Sequence, residues 1–137
     1  MVIPFLRETA AEGLAEDSKL HELAESAAVR GERCEFIRIW EATGYALVLG
    51  HSSNRELDVD EQACHRSGAP ILRRESGGGA VLLGAGCLNY TLVLSYSRRP
   101  RLRDVSESYR LILQAVAEAA GVAGTVRQGI DLTWRNR

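Results

Sequence analysis

A run of three glycines at positions 77–79 restricts the fold of this chain more than any other feature of its sequence. Glycine loses more backbone entropy on folding than any other residue, so consecutive glycines mark a path that side chains would obstruct. The flanking segments, 71–73 and 80–83, are apolar and typical of strands. A loop between two strands is therefore predicted. This excludes the strand-to-helix turn of a dinucleotide site, and it excludes a P-loop, whose lysine is also missing.

The length and composition predict one soluble globular domain over residues 1–137. The net charge of −1 gives no reason to expect nucleic acid or an acidic membrane surface as a partner. No segment approaches ~20 consecutive apolar residues, and the first residues do not resemble a signal peptide, so neither a membrane span nor export is expected.

The three cysteines, Cys34, Cys64 and Cys87, lie far apart and show no CxxC spacing. This pattern argues against a disulfide framework and a zinc site and fits a reducing cytosol, so we expect a cytoplasmic protein without a metal site. Cys64 and His65 are adjacent on a predicted helix and therefore point in different directions, so they do not form a dyad.

Three helices are predicted. Apolar residues recur at helical spacing over about 16–30, with Gly31 as the candidate C-cap; the apolar face comprises Leu20, Leu23, Ala24 and Ala27. Asp58 and Asp104 are each followed three residues later by Glu, which predicts helix starts at both positions and ends near Gly68 and Gly121. The last helix is expected to carry Val105, Tyr109, Ile112, Leu113 and Val116 on one face.

Strands are predicted at 36–40 and 45–49, which form a hairpin candidate through a short 42–44 connection, and at 71–73, 80–83, 88–95, 125–127 and 130–134. Helices interspersed with strands that include hairpins predict an α/β (α+β) fold with a mixed, largely antiparallel sheet and flanking helices.

The residues before the glycine run suggest an anion site. Arg73 and Arg74 place two guanidiniums beside backbone N–H groups, which together can form an anion cradle. The absence of β-carbons also lets a flat or phosphorylated ligand lie directly on the main chain. From the residues alone, the alternatives are a tight or bulged turn and a site for a phosphate-bearing ligand.

The segment from Arg73 to Val81, Arg-Arg-Glu-Ser-Gly-Gly-Gly-Ala-Val, followed by Leu88-Asn89-Tyr90-Thr91, is similar to the signature of the lipoate–protein ligase A family within the biotin/lipoate protein ligase superfamily. The segments 14–22, 39–52 and 129–137 resemble further blocks of that family in the same order. The resemblance covers nearly the whole chain and implies a fold like those of class II aminoacyl-tRNA synthetases and biotin ligases, incomplete at the C-terminus.

This resemblance implies a two-step reaction. ATP, with Mg²⁺, and lipoate or octanoate give an acyl-adenylate, and the acyl group then passes to a lysine of a lipoyl carrier domain, the E2 subunit of a 2-oxoacid dehydrogenase or the glycine cleavage H protein. Arg74 and the loop backbone would bind the phosphate, Val81 and Leu82 would line the acyl channel or the nucleotide side, and Asp131 would contact adenine or magnesium. The implied substrate- and ATP-binding residues are Arg74, Ser76, Gly77, Gly78, Gly79, Ala80, Val81, Leu82, Asn89 and Asp131.

Several positions depart from the family pattern. Leu82 stands where an aromatic residue is frequent, Leu83 where histidine is common and Cys87 where asparagine is common, which makes the expected pocket more apolar and leaves the acyl substrate open. The family's catalytic lysine would follow Arg137, and Lys19, the single lysine, lies far from that segment. We therefore expect a truncated chain that is inactive alone and that self-associates or binds a C-terminal partner polypeptide.

Two other functions remain open. One is octanoyl transfer from an acyl carrier thioester without ATP, for which Cys87 is the candidate nucleophile, with a buried strand cysteine as the alternative. The other is a non-enzymatic role, as an inactive fragment or half of a split ligase. Ser76 lies in no GxSxG elbow and is expected to be a hydrogen-bond donor or turn residue. His51 is expected in a loop, and Trp40 and Trp134 in the core or at an interface.

Overall fold

The computed structural model describes residues 3–121, 125–128 and 131–134, and the chain divides into two units, residues 1–94 and 95–137. Unit 1 contains β1 (Leu6–Glu8), α1 (Ala10–Val29), β2 (Phe36–Ala42), β3 (Ala46–Leu49), α2 (Arg55–Asp58), α3 (Glu61–Ser67), β4 (Ile71–Arg73), β5 (Val81–Leu83) and β6 (Leu88–Val93). Unit 2 contains a 3-10 turn (Pro100–Arg103), α4 (Val105–Ala120), β7 (Thr125–Gln128) and β8 (Asp131–Trp134).

The strands of unit 1 form two small mixed sheets. In the first, β2 lies between β1, which is parallel to it, and β6, which is antiparallel. In the second, β3 lies between parallel β4 and antiparallel β5. In unit 2, β7 and β8 pair antiparallel. The predicted fold class, a mixed and largely antiparallel arrangement with helices, is confirmed.

The predicted hairpin between the second and third strands is wrong, because β2 and β3 belong to different sheets. The backbone after β2 is bonded elsewhere: the N–H of Ala42 donates to the Cys87 carbonyl at 3.0 Å, and the N–H of Thr43 donates to the Glu8 carbonyl at 2.9 Å. The short connection thus carries the chain from one sheet to the other. A short loop is compatible with a hairpin and with a crossing between sheets, and the backbone hydrogen bonds determine which of the two forms.

Helix α1 is longer than predicted because it begins at a capping box that the sequence reading missed. The Thr9 hydroxyl accepts from the N–H of Glu12, and the Glu12 carboxylate accepts from the N–H of Thr9 at 2.9 Å. Leu20, Ala24 and Ala27 are buried as predicted, but Leu23 is 56% exposed, so its place on the apolar face was wrong. The buried face also contains Gly13 and rotates away from position 23.

The other helices also begin at polar side-chain caps, and α3 and α4 end at glycines. The first acidic cap is Asp60 rather than Asp58: its carboxylate accepts from the N–H of Ala63 at 2.8 Å, whereas Asp58 ends the short helix α2. Asp104 caps α4 as predicted by accepting from the N–H of Glu107 at 2.8 Å. Gly68 and Gly121 end α3 and α4 with φ of 67° and 62°, a left-handed conformation that favours glycine.

Two apolar clusters hold unit 1 together. The larger joins Ala10, Trp40, Ala42, Ala46 and Val48, and it therefore connects α1 with both sheets. The smaller joins Leu20 and Ala24 of α1 to Phe36 of β2. Because α1 contributes to both clusters, its position is fixed along most of its length, which matters for the cavity described below.

Unit 2 is described by itself. Leu113 is buried on α4 as predicted, but Val105 is 66% exposed and was wrongly assigned to the buried face because it is the first residue of the helix. No helix in the described ranges is long and apolar enough to cross a membrane. The predicted strand residue Ile130, the turn at Gly129 and the segment 135–137 lie outside the described residues.

Candidate functional site

Unit 1 contains a cavity of about 590 Å³, within the range of small-molecule sites. Its walls come from one face of α1, from β5 and β6, and from the start of the glycine loop, here residues 74–79. Apolar side chains supply part of the lining, among them Leu14, Val48, Val81 and Leu83. Polar side chains come from α1, from the loop and from β6. The cavity therefore suits a ligand with an apolar body and at least one polar end.

The wall formed by α1 presents Leu14, Asp17, Ser18 and His21. Positions separated by three, four and seven residues share one face of a helix, so these side chains point in the same direction. The Ser18 hydroxyl donates to the Glu75 carboxylate at 3.4 Å, which ties this face to the glycine loop. The sequence reading missed these residues, because polar side chains at helical spacing are also the pattern of a solvated face.

Asp17 and Trp40 form a bonded pair in this wall. The Trp40 indole N–H donates to one Asp17 carboxylate oxygen at 3.3 Å, and Trp40 is only 1% exposed. Gly13 allows α1 to lie against the indole, since a β-carbon there would stand 2.7 Å from the ring atoms. Trp40 is thus the core aromatic that the sequence predicted, and it also borders the cavity.

The glycine loop is bound to the segment that follows β3. The N–H of His51 donates to the Ser76 carbonyl at 2.9 Å, and the Ser53 hydroxyl donates to the Gly78 carbonyl at 3.1 Å. Gly50 makes this approach possible, because a β-carbon at that position would stand 1.9 Å from the Gly78 oxygen. Gly50 was not among the predicted site residues, and only a long-range contact reveals its role.

The two arginines predicted to form an anion cradle donate to backbone carbonyls. Arg73 Nη1 contacts the carbonyl oxygens of Gly50, His51 and Ser53 at 2.6, 2.8 and 3.0 Å. Arg74 Nη2 contacts those of Gly77 and Gly79 at 2.7 and 3.0 Å. Arg73 therefore holds the neighbouring segment, and Arg74 closes the glycine loop on itself.

The carbonyls of the glycine loop are engaged, but its amides are not. Among the described residues, no group accepts a hydrogen bond from the N–H of Gly77, Gly78 or Gly79. Gly78 has φ of 96°, which side-chain-bearing residues rarely adopt. With its carbonyls bonded to Arg74 and Ser53 and its amides unpaired, the loop offers donors to an external anion.

Some of the remaining predicted residues line the cavity, and others do not. Val81 and Leu83 line the cavity, whereas Leu82 pairs with Leu47 and is 62% exposed, because side chains alternate between the faces of a strand. Asn89 lines the cavity, and its amide donates to the Cys87 carbonyl at 3.1 Å. The structure thus brings Arg74, Ser76, Val81 and Asn89 into one lining. Ala80 and the three glycines border it without being part of it, and Asp131 is exposed at the start of β8 in unit 2.

The cavity lining has an uneven charge. Among its described residues Arg74 is the one permanent cation, and Asp17 and Glu75 are the acids. Lys19 lies on α1 but outside the lining, and its ammonium pairs with Glu16 at 3.1 Å. No cluster of three or more His, Cys, Asp or Glu side chains suited to a metal ion exists within the described ranges.

Cys87 was the candidate nucleophile of the thioester alternative. Its sulfur accepts from the N–H of Gly84 at 3.4 Å, and its side chain packs against the larger apolar cluster. None of the three cysteines, all of which lie in the described part of the chain, belongs to the cavity lining. Cys87 is half-buried in the turn before β6, so it is not the buried strand cysteine of the alternative, and its place outside the lining also weighs against a thiol that meets a substrate.

Comparison with known proteins connects this geometry to a family. A family model described as the lipoyl protein ligase A/B catalytic domain matches residues 10–137. The chain is 27% identical over 124 residues to a protein named as a lipoate-protein ligase A in Aeropyrum pernix, covering 88% of this chain and 40% of that protein. It is 35% identical over 89 residues to octanoyltransferase LipM of Exiguobacterium sibiricum, covering 64% of this chain and 31% of that protein. The chain spans less than half the length of either relative.

Solved structures show the same fold. P. falciparum LipL1 in complex with lipoate gives a TM-score of 0.68 at 16% identity and covers 100% of this chain and 42% of that chain. A bi-partite lipoate protein ligase from Thermoplasma acidophilum, described with its E2 lipoyl domain, gives 0.60 at 21% identity and covers 94% of this chain and 49% of that chain. The predicted ligase-type fold is confirmed.

Proposed function

Because the chain belongs to the lipoyl protein ligase A/B catalytic-domain family, we propose that unit 1 binds lipoate or a related medium-chain acid in its cavity and the phosphate of the acyl-adenylate at the glycine loop. One observation carries the proposal: a cavity with apolar walls is bordered by a loop whose three glycine amides have no acceptor among the described residues. The walls suit the acyl chain, and the amides suit an anion.

The proposed reaction is the one that the family resemblance implies. The acyl carboxylate attacks the α-phosphorus of ATP, which enters with Mg²⁺, and acyl-adenylate and pyrophosphate result. Loop amides directed at the phosphate would stabilise the charge that develops during this attack. A lysine of a lipoyl carrier domain, on an E2 subunit or an H protein, then attacks the acyl carbonyl and releases AMP. The T. acidophilum ligase described with its E2 lipoyl domain supports a carrier of this class.

Lys19 does not supply a catalytic ammonium group to the cavity. The chain has this single lysine, and its ammonium pairs with Glu16 outside the cavity. An ammonium beside the reacting carboxylate, which the family resemblance implies, is therefore not provided by Lys19. We expect the chain on its own to bind the acid and the adenylate without measurable turnover.

A second candidate is octanoyl transfer from a carrier thioester, which the similarity to octanoyltransferase LipM favours. That reaction requires a thiol or another nucleophile at the acyl carbonyl. The position of Cys87 outside the lining weighs against it as that nucleophile. Consumption of octanoyl carrier without ATP would decide for this alternative.

An apolar patch on the first sheet supports a protein partner. Ile39, Leu88 and Tyr90 are 38%, 65% and 46% exposed, and Ile39 and Tyr90 are cross-strand neighbours. Leu88 and Tyr90 also line the cavity, so the patch is continuous with it. The Tyr90 phenol is neutral at pH 7, as an ordinary tyrosine is, and partial burial raises its pKa further, so the patch is uncharged. Exposed apolar patches are usually interfaces, so self-association or a second polypeptide is part of the proposal.

Calorimetric titration with lipoate and with a sulfamoyl analogue of lipoyl-adenylate tests the proposed function. We expect both to bind and the adenylate analogue to bind at least about tenfold more tightly, because it resembles the state in which the loop donors are used. Equal affinities would show that the glycine loop does not contact the phosphate. A parallel assay of ATP-dependent lipoylation with a carrier domain is expected to show no turnover by this chain.

A further inference from the structure

Arg38 lies beneath the cavity wall and does not line it. Its guanidinium is fully shielded from solvent. One Nη atom donates to the Asp17 carboxylate at 2.7 Å and to the Gly13 carbonyl at 3.1 Å, and the other donates to the Glu8 carboxylate. Its Nε is a buried donor without a partner. A buried guanidinium of this kind is tolerated only when carboxylates are held beside it.

Arg38 also touches the other member of the bonded pair in the wall. Its guanidinium carbon stands 5.5 Å from the centre of the Trp40 ring, within the range of a cation–π contact. One carboxylate oxygen of Asp17 therefore accepts a hydrogen bond from Arg38, and the other accepts one from Trp40. One oxygen is held by Arg38 behind the wall and the other by Trp40 within it, so the carboxylate cannot rotate freely toward a ligand.

The charges of this cluster do not cancel. Arg38 is shared between two carboxylates, Glu8 and Asp17, so the group of three carries one excess negative charge. Arg74 is the only permanent cation among the described lining residues, and Glu75 adds a further acid. Arg74 is thus the one cation of the lining that a ligand carboxylate can meet, and its Nη2 is already bonded to two loop carbonyls. A second carboxylate would meet Asp17 and Glu75 without a cationic partner.

We propose that Arg38 is a positioning residue that fixes the Asp17 carboxylate in the wall, and that this carboxylate excludes acyl substrates bearing a second carboxylate. The inference rests on the proposed function, since it assumes that the cavity binds a carboxylic acid. It adds the residues that would select against a second carboxylate, which are Asp17 in the wall and Arg38 behind it. Arg38 acts through Asp17 and does not touch the substrate.

The positioning role of Arg38 is tested without ligand, by the NMR resonance of the Trp40 indole N–H. A Trp134→Phe variant identifies which of the two indole resonances belongs to Trp40. We expect Asp17→Asn and Arg38→Met to shift this resonance, and Arg7→Met, which changes an exposed arginine on the neighbouring strand, to leave it in place. Because Arg38→Met leaves two carboxylates buried, the double variant Arg38→Met with Glu8→Gln is measured as well. An unchanged indole resonance in the folded double variant would overturn the positioning role.

The selectivity half is tested by titrating octanoate and octanedioate, which have the same carbon count. We expect the unmodified chain to bind octanoate at least about tenfold more tightly, and Asp17→Asn to reduce that ratio about threefold or more by strengthening octanedioate binding. A ratio that does not change in Asp17→Asn overturns the selectivity. Binding of neither acid contradicts the proposed function and the selectivity with it, while the indole resonance still decides the role of Arg38.

Discussion

The carbonyl oxygen of Gly78 lies so close to Gly50 that a β-carbon at position 50 would stand 1.9 Å from it. The two residues are far apart in sequence, and they join the end of β3 to the glycine loop. The Ser53 hydroxyl donates to the same Gly78 oxygen at 3.1 Å, which adds a second connection between the segments. The shape of the loop therefore depends on a residue outside it.

Substitution of Gly50 by alanine tests this dependence. The added methyl group cannot occupy the same space as the Gly78 carbonyl, so the loop must move, and overpacking of this kind costs about 1–3 kcal/mol. We expect a loss of that size in the free energy of unfolding in urea, together with weaker binding of the adenylate analogue. Gly44→Ala is the matched control, because a β-carbon there meets nothing within 4 Å. Equal stability of both variants would contradict the close approach.

Substitution of Arg74 by lysine separates charge from shape. Arg74 Nη2 contacts two loop carbonyls, at 2.7 and 3.0 Å, and a lysine ammonium keeps the charge but not the planar fork of donors. Since hydrogen bonds to charged groups contribute about 1.5–3 kcal/mol, we expect about tenfold weaker binding of the adenylate analogue. Arg66→Lys on α3 serves as the control. If the Arg74→Lys variant binds the adenylate analogue as tightly as the unmodified chain, the positive charge alone is enough for binding and the planar fork of donors is not required.

The N-terminal turn of α4 is expected to be sensitive to acid. Hydrogen bonds from Arg110, together with the charge of Arg101, hold the pKa of Glu107 at about 2, below its ordinary value of 4.5. A lowered pKa in the folded state means that the stabilisation is complete above about pH 4.5 and is lost as the pH falls through 2. Circular dichroism at 222 nm during thermal melting should show this loss. Glu107→Gln should remove that component of the pH dependence, and Glu118→Gln on the same helix should retain it.

The exposed patch of Ile39, Leu88 and Tyr90 predicts association in solution. We expect light scattering after size-exclusion chromatography to give a mass above that of one chain. Ile39→Ser should shift the population toward the monomer, and Ile39 is chosen because Leu88 and Tyr90 also line the cavity. Leu57→Ser is the matched control, since Leu57 is 82% exposed on α2, away from this sheet. A monomer at every concentration tested would contradict an interface on this patch.

Local patterns predicted much of the fold. The left-handed glycines after α3 and α4, the cap at Asp104 and the strands around the glycine run depend on nearby residues, and all are confirmed. The hairpin between β2 and β3 was wrong because a short connection does not determine which strands pair. Leu23 was misplaced because one residue of helical rotation moves a side chain from the core to solvent.

The candidate site was predicted less completely, for a physical reason. The glycine loop and Arg74 are adjacent in sequence, so their proximity was evident. The contacts of Gly50, Asp17 and Arg38 join segments that are distant in sequence, and only the fold brings them together. The resemblance implied one role for Val81 and Leu82, on the acyl channel or the nucleotide side. Alternation along β5 places the two side chains on opposite faces, and Val81 alone of the two lines the cavity.

Binding of lipoate to this chain tests the central claim most directly. The claim is that the cavity bordered by Val81 and Leu83 holds the acyl chain. Isothermal titration should show saturable binding of one lipoate per chain, loss of binding in Val81→Glu, which places an unpaired charge in the apolar wall, and unchanged binding in Leu57→Glu. Absence of saturable binding by the folded chain, or equal affinities for the unmodified chain and the Val81→Glu variant, would contradict it.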